Sequence, residues 1–336
     1  MSAAITGCQV EPSRVQHDTV TGPAIVVRAL EREFGERKAL AGVSFEVREG
    51  EIFGLLGPNG GGKTTLFRIL ATLLPPTRGT AAILGHDVVA DPAAVRRAIG
   101  VVFQATSTDK KLTSLENLIY QGHMYGMSGA PLRKRAMELL ERFGVADRAG
   151  EYCEKLSGGL RRRVEIAKGL LHGPKVLLLD EPSAGLDPGA RRELREVLEG
   201  LKKDGTTVLL TTHFMEEGAM ADRVAILDRG LIVALGKPES LCAESGTDVV
   251  SIRSRDPGKL RDAIAAKFQA PVSLLDGQLR VERSRGHEFV PQLVESFPGQ
   301  VEAVTVAKPT LEDVFVRKTG RSFVEEPAPA APKKGH

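Results

Sequence analysis

The run Gly57-Pro58-Asn59-Gly60-Gly61-Gly62-Lys63-Thr64 has the residue types and spacing to hold a phosphate chain. It fits GxxxxGK[ST] and stands between a short apolar strand, Glu51 to Leu56, and a stretch with helical spacing, Lys63 to Leu74. Glycines let backbone N–H groups turn inward without Cβ obstruction. The helix that follows offers the positive end of its dipole to the same anions. Lys63 has the reach for the β- and γ-phosphates of ATP, and the Thr64 hydroxyl can ligate Mg²⁺. Thr65 belongs with the same binding set.

A second chemical unit ends the apolar strand Val176 to Leu179. Asp180 and Glu181 follow it directly. On a parallel strand beside that of the loop, Asp180 would reach the Mg²⁺ shell. Glu181, one residue on, would orient and deprotonate a water that attacks the γ-phosphate. His213 closes another apolar strand, Thr207 to Thr212, where a γ-phosphate sensor would sit. Gln104 closes Val101-Val102-Phe103, and its amide could meet Mg²⁺ or the attacking water.

Leu156-Ser157-Gly158-Gly159 opens a helix that continues through Val164, Ala167 and Leu171. A glycine-rich helix start is a second anion site. One nucleotide requires only one phosphate loop, so Ser157, Gly158 and Gly159 suggest a site completed by a second copy of the chain. The basic run Arg161-Arg162-Arg163 reads as a solvated helix face, since Arg is mostly exposed.

These residues need a scaffold in which strands alternate with helices, which is an α/β core around a parallel sheet. Met1 to Gly22 reads as a loose tail, and residues 23–243 as the ATPase domain with a helical subdomain at about 105–172. The stretch Thr113 to Phe143 reads as helical and amphipathic. After Cys242 the order becomes βαββαβ, with Asp276-Gly277 as a hairpin turn, which predicts a small α+β, ferredoxin-like domain over residues 247–320. A last helix, Leu311 to Lys318, is included in it. Residues 321–336, rich in Pro, Ala and Lys, read as a disordered tail.

The 336 residues are 42% apolar and 26% charged, with a formal net charge of +3, too near balance for nucleic acid as the main partner. Cys8, Cys153 and Cys242 are far apart, which argues against a disulfide framework or zinc site. No apolar run approaches the roughly 20 residues of a membrane span, so a membrane role requires a partner chain.

Taken together, these motifs resemble the ABC ATPase family. In that resemblance Gly57 to Thr64 is Walker A, Gln104 the Q-loop, and Leu156 to Gly159 the signature. Asp180 and Glu181 are Walker B with the catalytic glutamate, Ser183 to Asp187 the D-loop with Asp187 at the nucleotide, and His213 the switch histidine. Phe34 takes the place of an aromatic that stacks on adenine. Leu160 stands where the family most often has Gln, and Phe34 where it often has Tyr. Lys308 to Phe315, Leu112 to Leu118 and Ser157 to Arg163 are similar to drug-resistance exporter ATPases of the daunorubicin type. The resemblance implies an ABC nucleotide-binding domain, ATP and Mg²⁺, and a head-to-tail homodimer. It also implies an integral-membrane permease on another chain and a peripheral position on the cytoplasmic face of the membrane. A soluble ABC ATPase acting on nucleic acid or the ribosome is the alternative. The chain lacks the coiled-coil insertion of the first kind and the second cassette usual in the other.

Overall fold

The computed structural model describes residues 22–244, 247–275, 277–321 and 323. The tails expected at 1–22 and 321–336 lie outside the described residues, except for Gly22, Arg321 and Phe323. The chain opens with an antiparallel pair, β1 (Ile25–Phe34) and β2 (Arg37–Val47). Next come β3 (Ile52–Leu56), α1 (Lys63–Leu70), β4 (Arg78–Ile83), β5 (His86–Asp87), α2 (Pro92–Ala98) and β6 (Ile99–Val102). A helical layer follows, with α3 (Ser114–Met124), α4 (Gly129–Arg142) and α5 (Gly158–Leu170). The chain then returns to the sheet through β7 (Val176–Asp180), α6 (Pro188–Lys203), β8 (Thr207–Thr212), α7 (Met215–Gly218), β9 (Arg223–Asp228), β10 (Leu231–Gly236) and α8 (Pro238–Ala243). It closes with β11 (Asp248–Arg253), α9 (Pro257–Phe268), β12 (Val272–Leu275), β13 (Gln278–Arg283), α10 (Gly286–Ser296), β14 (Ala303–Ala307) and α11 (Leu311–Thr319).

The central sheet has the order β10-β9-β3-β8-β7-β6 and is parallel except at β10. Strands buried on both faces read as unbroken apolar runs, and every residue of β3, β7 and β8 is buried. Side-chain alternation divides β7 between two cores. Leu177 and Leu179 face the helical layer, and Val176 and Leu178 face α1 and the smaller sheet β2-β1-β4-β5. The carboxyl ends of β3, β6, β7 and β8 therefore deliver Gly57, Gln104, Glu181 and His213 to one edge, where open α/β sheets bind ligands.

The stretch from Thr113 to Phe143 is two helices rather than one. Gly126 and Gly129 adopt left-handed backbone, φ 74° and 69°, and break the helix between them. Thr113 and Glu116 form a capping box that starts α3.

The last sheet is antiparallel with the order β12-β13-β11-β14, the arrangement of a split βαβ unit, and α9 and α10 cover one face. The final helix leaves this unit. Buried Leu311, Val314 and Phe315 of α11 join the core between the central sheet and the helical layer, against α7, α8 and β10. Arg321 and Phe323, read from the sequence as tail, continue that packing: Arg321 pairs with Asp228, and Phe323 meets Phe315 edge-on at 4.9 Å.

Candidate nucleotide site

The loop after β3 is shaped by close backbone approach. A Cβ on Gly57 would stand 2.3 Å from the Leu227 carbonyl oxygen, and one on Gly62 would stand 2.7 Å from that of Ala39. Gly62 also has φ 110° and is the N-cap of α1, with no side chain capping the helix. The positive helix end suits an anion. Phe34, Asn59, Gly60, Gly62, Lys63, Thr64 and Thr65 line a 230 Å³ cavity at this point, together with Arg37 and Ala39, which the sequence did not single out. Phe34 is 48% exposed at the cavity, and the Arg32 guanidinium lies over one face of its ring, 4.7 Å from the centroid.

Lys63 is buried. Its ammonium donates to the carbonyls of Gly57 at 2.7 Å and Pro58 at 3.1 Å, and lies 3.8 Å from Glu181 Oε1. Two further side chains converge on the same carboxylate: Gln104 Nε2 donates to Glu181 Oε2 at 3.1 Å, and His213 Nδ1 lies 3.2 Å from that oxygen. Gln104, Glu181 and His213 from three strand ends and Lys63 from the start of α1 therefore meet at one carboxylate. The residue itself holds a left-handed backbone, φ 44°, which costs a non-glycine residue of the order of 1 kcal/mol or more and is typical of constrained sites.

Thr211 holds the acid pair in place. Its hydroxyl donates to Asp180 Oδ1 at 2.5 Å and accepts from the Glu181 N–H at 3.0 Å, while its carbonyl accepts from that N–H at 3.1 Å. Burial pushes the Asp180 carboxyl above its ordinary range, opposed by the Thr211 hydrogen bond and the Lys63 charge. A divalent cation would reverse that balance. The fit for Mg²⁺ is through oxygen donors: the Thr64 hydroxyl is exposed beside the cavity, Asp180 Oδ1 is engaged by Thr211, and the Gln104 amide is close to Glu181. Among the described residues no group of three or more His, Cys, Asp or Glu forms a metal cage. A cation here would thus depend on water and phosphate oxygens in addition to the protein, the usual mode of Mg²⁺.

Arg162 corrects the reading of Arg161-Arg162-Arg163 as a solvated face. It is buried and pairs with buried Glu165 at 2.8 Å. Its guanidinium also donates to the carbonyls of Phe103 at 2.7 Å, Pro182 at 2.9 Å and Asp180 at 3.1 Å. One side chain from the helical layer thus fixes the ends of β6 and β7, from which Gln104 and Glu181 extend. Arg163 is half-buried and bonds the Phe143 carbonyl and Glu193.

Ser157, Gly158 and Gly159 stand elsewhere. The Ser157 hydroxyl caps α5 by accepting from the Leu160 N–H at 3.3 Å, and Ser157 and Gly158 are exposed. Asp187 caps α6 by accepting from the Ala190 N–H at 3.0 Å, which holds its carboxyl below the usual range. None of these four lines the phosphate-loop cavity.

The acids do not end the strand beside that of the loop, as the sequence suggested: β8 lies between β3 and β7 and contributes Thr211 to hold them. The parallel sheet, the glycine loop and the acids at the end of β7 define a P-loop ATPase. A family profile described as "ABC transporter" matches residues 40–184, and one described as an AAA domain, putative AbiEii toxin, Type IV TA system, matches residues 154–216. The chain is 39% identical over 304 residues to the daunorubicin resistance ATP-binding protein DrrA3 of Streptomyces coeruleorubidus, covering 88% of this chain and 96% of that protein. It is 42% identical over 307 residues to the daunorubicin/doxorubicin resistance ATP-binding protein DrrA of Streptomyces peucetius, covering 88% and 92%. The Nod factor export ATP-binding protein I of Ralstonia nicotianae is 39% identical over 317 residues, covering 90% and 95%. Among solved structures, the ADP conformation of MJ1267, an ATP-binding cassette of an ABC transporter, aligns at 28% identity and a TM-score of 0.61, covering 66% of this chain and 93% of that one. A dimeric bacterial ABC transporter cassette, MJ0796, aligns at 31% identity and 0.58, covering 63% and 98%. The chain belongs to the ABC transporter family, as an ATP-binding subunit that hydrolyses ATP. Solved cassettes of this kind include dimers.

Proposed function

We propose that this subunit powers an exporter of drugs, lipids or other amphiphiles, by closing head to tail with a second copy around ATP. The observation that carries the reading is the convergence of Lys63, Gln104 and His213 on Glu181, while the helix start Ser157–Gly159, exposed at Ser157 and Gly158, lies away from the cavity in its own chain. Half of a phosphate site is then available to a partner on each copy, as a two-fold contact requires.

In this reading Phe34 stacks on the adenine, and the amides of Gly57 to Thr65 surround the phosphates. Lys63 turns from the Gly57 and Pro58 carbonyls to the β- and γ-oxygens. Thr64, Asp180 and Gln104 would hold Mg²⁺, which would neutralise charge on the transferred phosphoryl group. Glu181 takes the proton of the attacking water, giving ADP and phosphate. His213 and Gln104 hold its carboxylate in position, and His213 meets the γ-phosphate. Ser157, Gly158, Gly159 and Asp187 of the partner copy complete the site.

Export of amphiphiles is supported by the names of the relatives, which include proteins of daunorubicin, doxorubicin and linearmycin resistance and of Nod factor export. No helix among the described residues is long and apolar enough to cross a membrane. The transmembrane path is accordingly assigned to a separate permease chain, which holds this subunit at the cytoplasmic face. Affinity purification of the tagged chain from membranes tests this. A partner with several membrane spans is expected, and a partner without any would overturn the exporter reading. Nucleic acid is not expected among the partners.

A further inference from the structure

The outer edge of β14 is open. The order β12-β13-β11-β14 leaves it with one paired side and, among the described residues, no strand on the other. Soluble proteins usually blunt such an edge with charge, proline or a bulge. β14 has none of these. Ala303-Val304-Thr305-Val306-Ala307 is uncharged, its register with β11 is unbroken, and four of its five residues are exposed. The opposite edge, β12, is shorter and follows directly on Pro271.

The β14 sequence reads the same in both directions about Thr305. Antiparallel pairing of two copies around a two-fold axis at Thr305 sets Ala303 opposite Ala307 and Val304 opposite Val306. The match continues outward, because Glu302 then falls opposite Lys308. Both flanking side chains are accessible, Lys308 at 89% and Glu302 at 40%. Each pairing would carry two opposite-charge cross-strand contacts. An apolar strip runs alongside. A Cβ on Gly286 would lie 2.8 Å from Val306 Cγ1, and Val290 and Val294 follow at i+4 and i+8 on the same face of α10. Val294 is 45% exposed and Val306 38%.

We propose that β14 is a self-association edge, which pairs with β14 of a second copy and joins two four-stranded sheets into one continuous sheet. The contact is separate from the nucleotide-dependent cassette face and requires no ATP.

The test uses the full chain without nucleotide, with Cys8 replaced by Ser and Cys153 and Cys242 by Ala. Thr305→Cys is added and the thiols are oxidised with copper phenanthroline. Residues on the dyad face each other, so a disulfide-linked dimer should form much faster than from Ser251→Cys on the central strand β11. Adding Glu302→Lys or Lys308→Glu should slow cross-linking about tenfold, and the two together should restore it. The double exchange breaks the intrachain contacts of Lys308 with Asp248 and Glu302 with Arg255, so rescue can arise only between copies. In sedimentation velocity, the unmodified chain should self-associate with rising concentration, and Val294→Lys, a surface change, should weaken this. Cross-linking no faster than from Ser251→Cys, a double exchange as slow as either single one, or Val294→Lys associating like the unmodified chain would overturn the proposal. None of these results bears on the ATP-dependent contact, because nucleotide is absent throughout.

Discussion

Arg162 Nη2 donates to the main-chain carbonyl of Asp180 at 3.1 Å, so a helical-layer residue holds the end of the strand that carries both acids. The same guanidinium satisfies the Phe103 and Pro182 carbonyls and pairs with Glu165. Arg162→Ala leaves buried Glu165 without its ion-pair partner, with the Ser107 N–H as its remaining hydrogen bond at 2.7 Å. Breaking a buried pair in this way is expected to cost about 3–5 kcal/mol of stability. Arg162→Lys keeps the charge but loses the planar fork, so it should fall between the two, with hydrolysis reduced more than stability. Urea unfolding and steady-state ATPase rates check this. An Arg162→Ala chain as stable and active as the wild type would remove the strapping role.

Glu181→Gln preserves shape and removes the proposed base. Hydrolysis should fall by about 10²–10⁴, the usual worth of a general base, while nucleotide binding is retained. The Lys63 and His213 contacts with Glu181 would weaken, but the phosphate loop itself rests on Gly57, Gly61 and Gly62. Fluorescent-nucleotide binding and phosphate release measure the two effects separately. Hydrolysis at the wild-type rate would show that the base lies elsewhere.

The phosphate loop and the acid pair are legible in the sequence because their signals are local: a spacing of glycines, and carboxylates at the end of an apolar run. Thr211 and Arg162 were not, because their roles depend on which elements are neighbours. Thr211 meets Asp180 from 31 residues away, through the pairing of β7 with β8. Arg161, Arg162 and Arg163 point in three directions at 100° per residue, and only the packing of α5 shows which one enters the sheet edge. The clue was available in Val164, Ala167 and Leu171, since these apolar positions set the phase of the helix. The destination of α11 was not available, because an amphipathic helix does not state which apolar surface it covers.

Asp248 gives the accessory domain a pH dependence. Its Oδ1 accepts from Lys308 Nζ at 2.7 Å and its Oδ2 from the Gly286 N–H at 2.8 Å. Those two bonds, Lys308 first, hold the carboxyl below its ordinary range. Folding therefore favours the ionised form, and the folded state binds fewer protons than the unfolded one. The contribution is complete above the unfolded value of about 3.9 and is lost as pH falls through the lower folded value. Urea midpoints should fall as the pH drops below about 4, and Asp248→Asn should flatten that part of the profile. An unchanged slope in Asp248→Asn would assign the acid sensitivity to other carboxylates.

Phe315 is the anchor that ties the end of the chain to the ATPase domain. It is 1% exposed, shares a core with Leu311 and Val314, and meets Phe323 at 84°. The helix begins with a capping box in which Thr310 and Asp313 satisfy each other's backbone, and Arg280 of β13 adds an ion pair to Asp313 at 3.1 Å. Removing a buried Phe costs about 3–5 kcal/mol, through lost burial and the cavity left behind. Arg321→Ala removes a partly exposed guanidinium from buried Asp228 and leaves the apolar face of α11 in place. If the apolar face of α11 is what couples the accessory domain to the ATPase domain, Phe315→Ala should split one calorimetric unfolding transition into two. Arg321→Ala should leave it single. Two transitions already present in the wild type, or a single one retained in Phe315→Ala, would show that the coupling runs through other contacts.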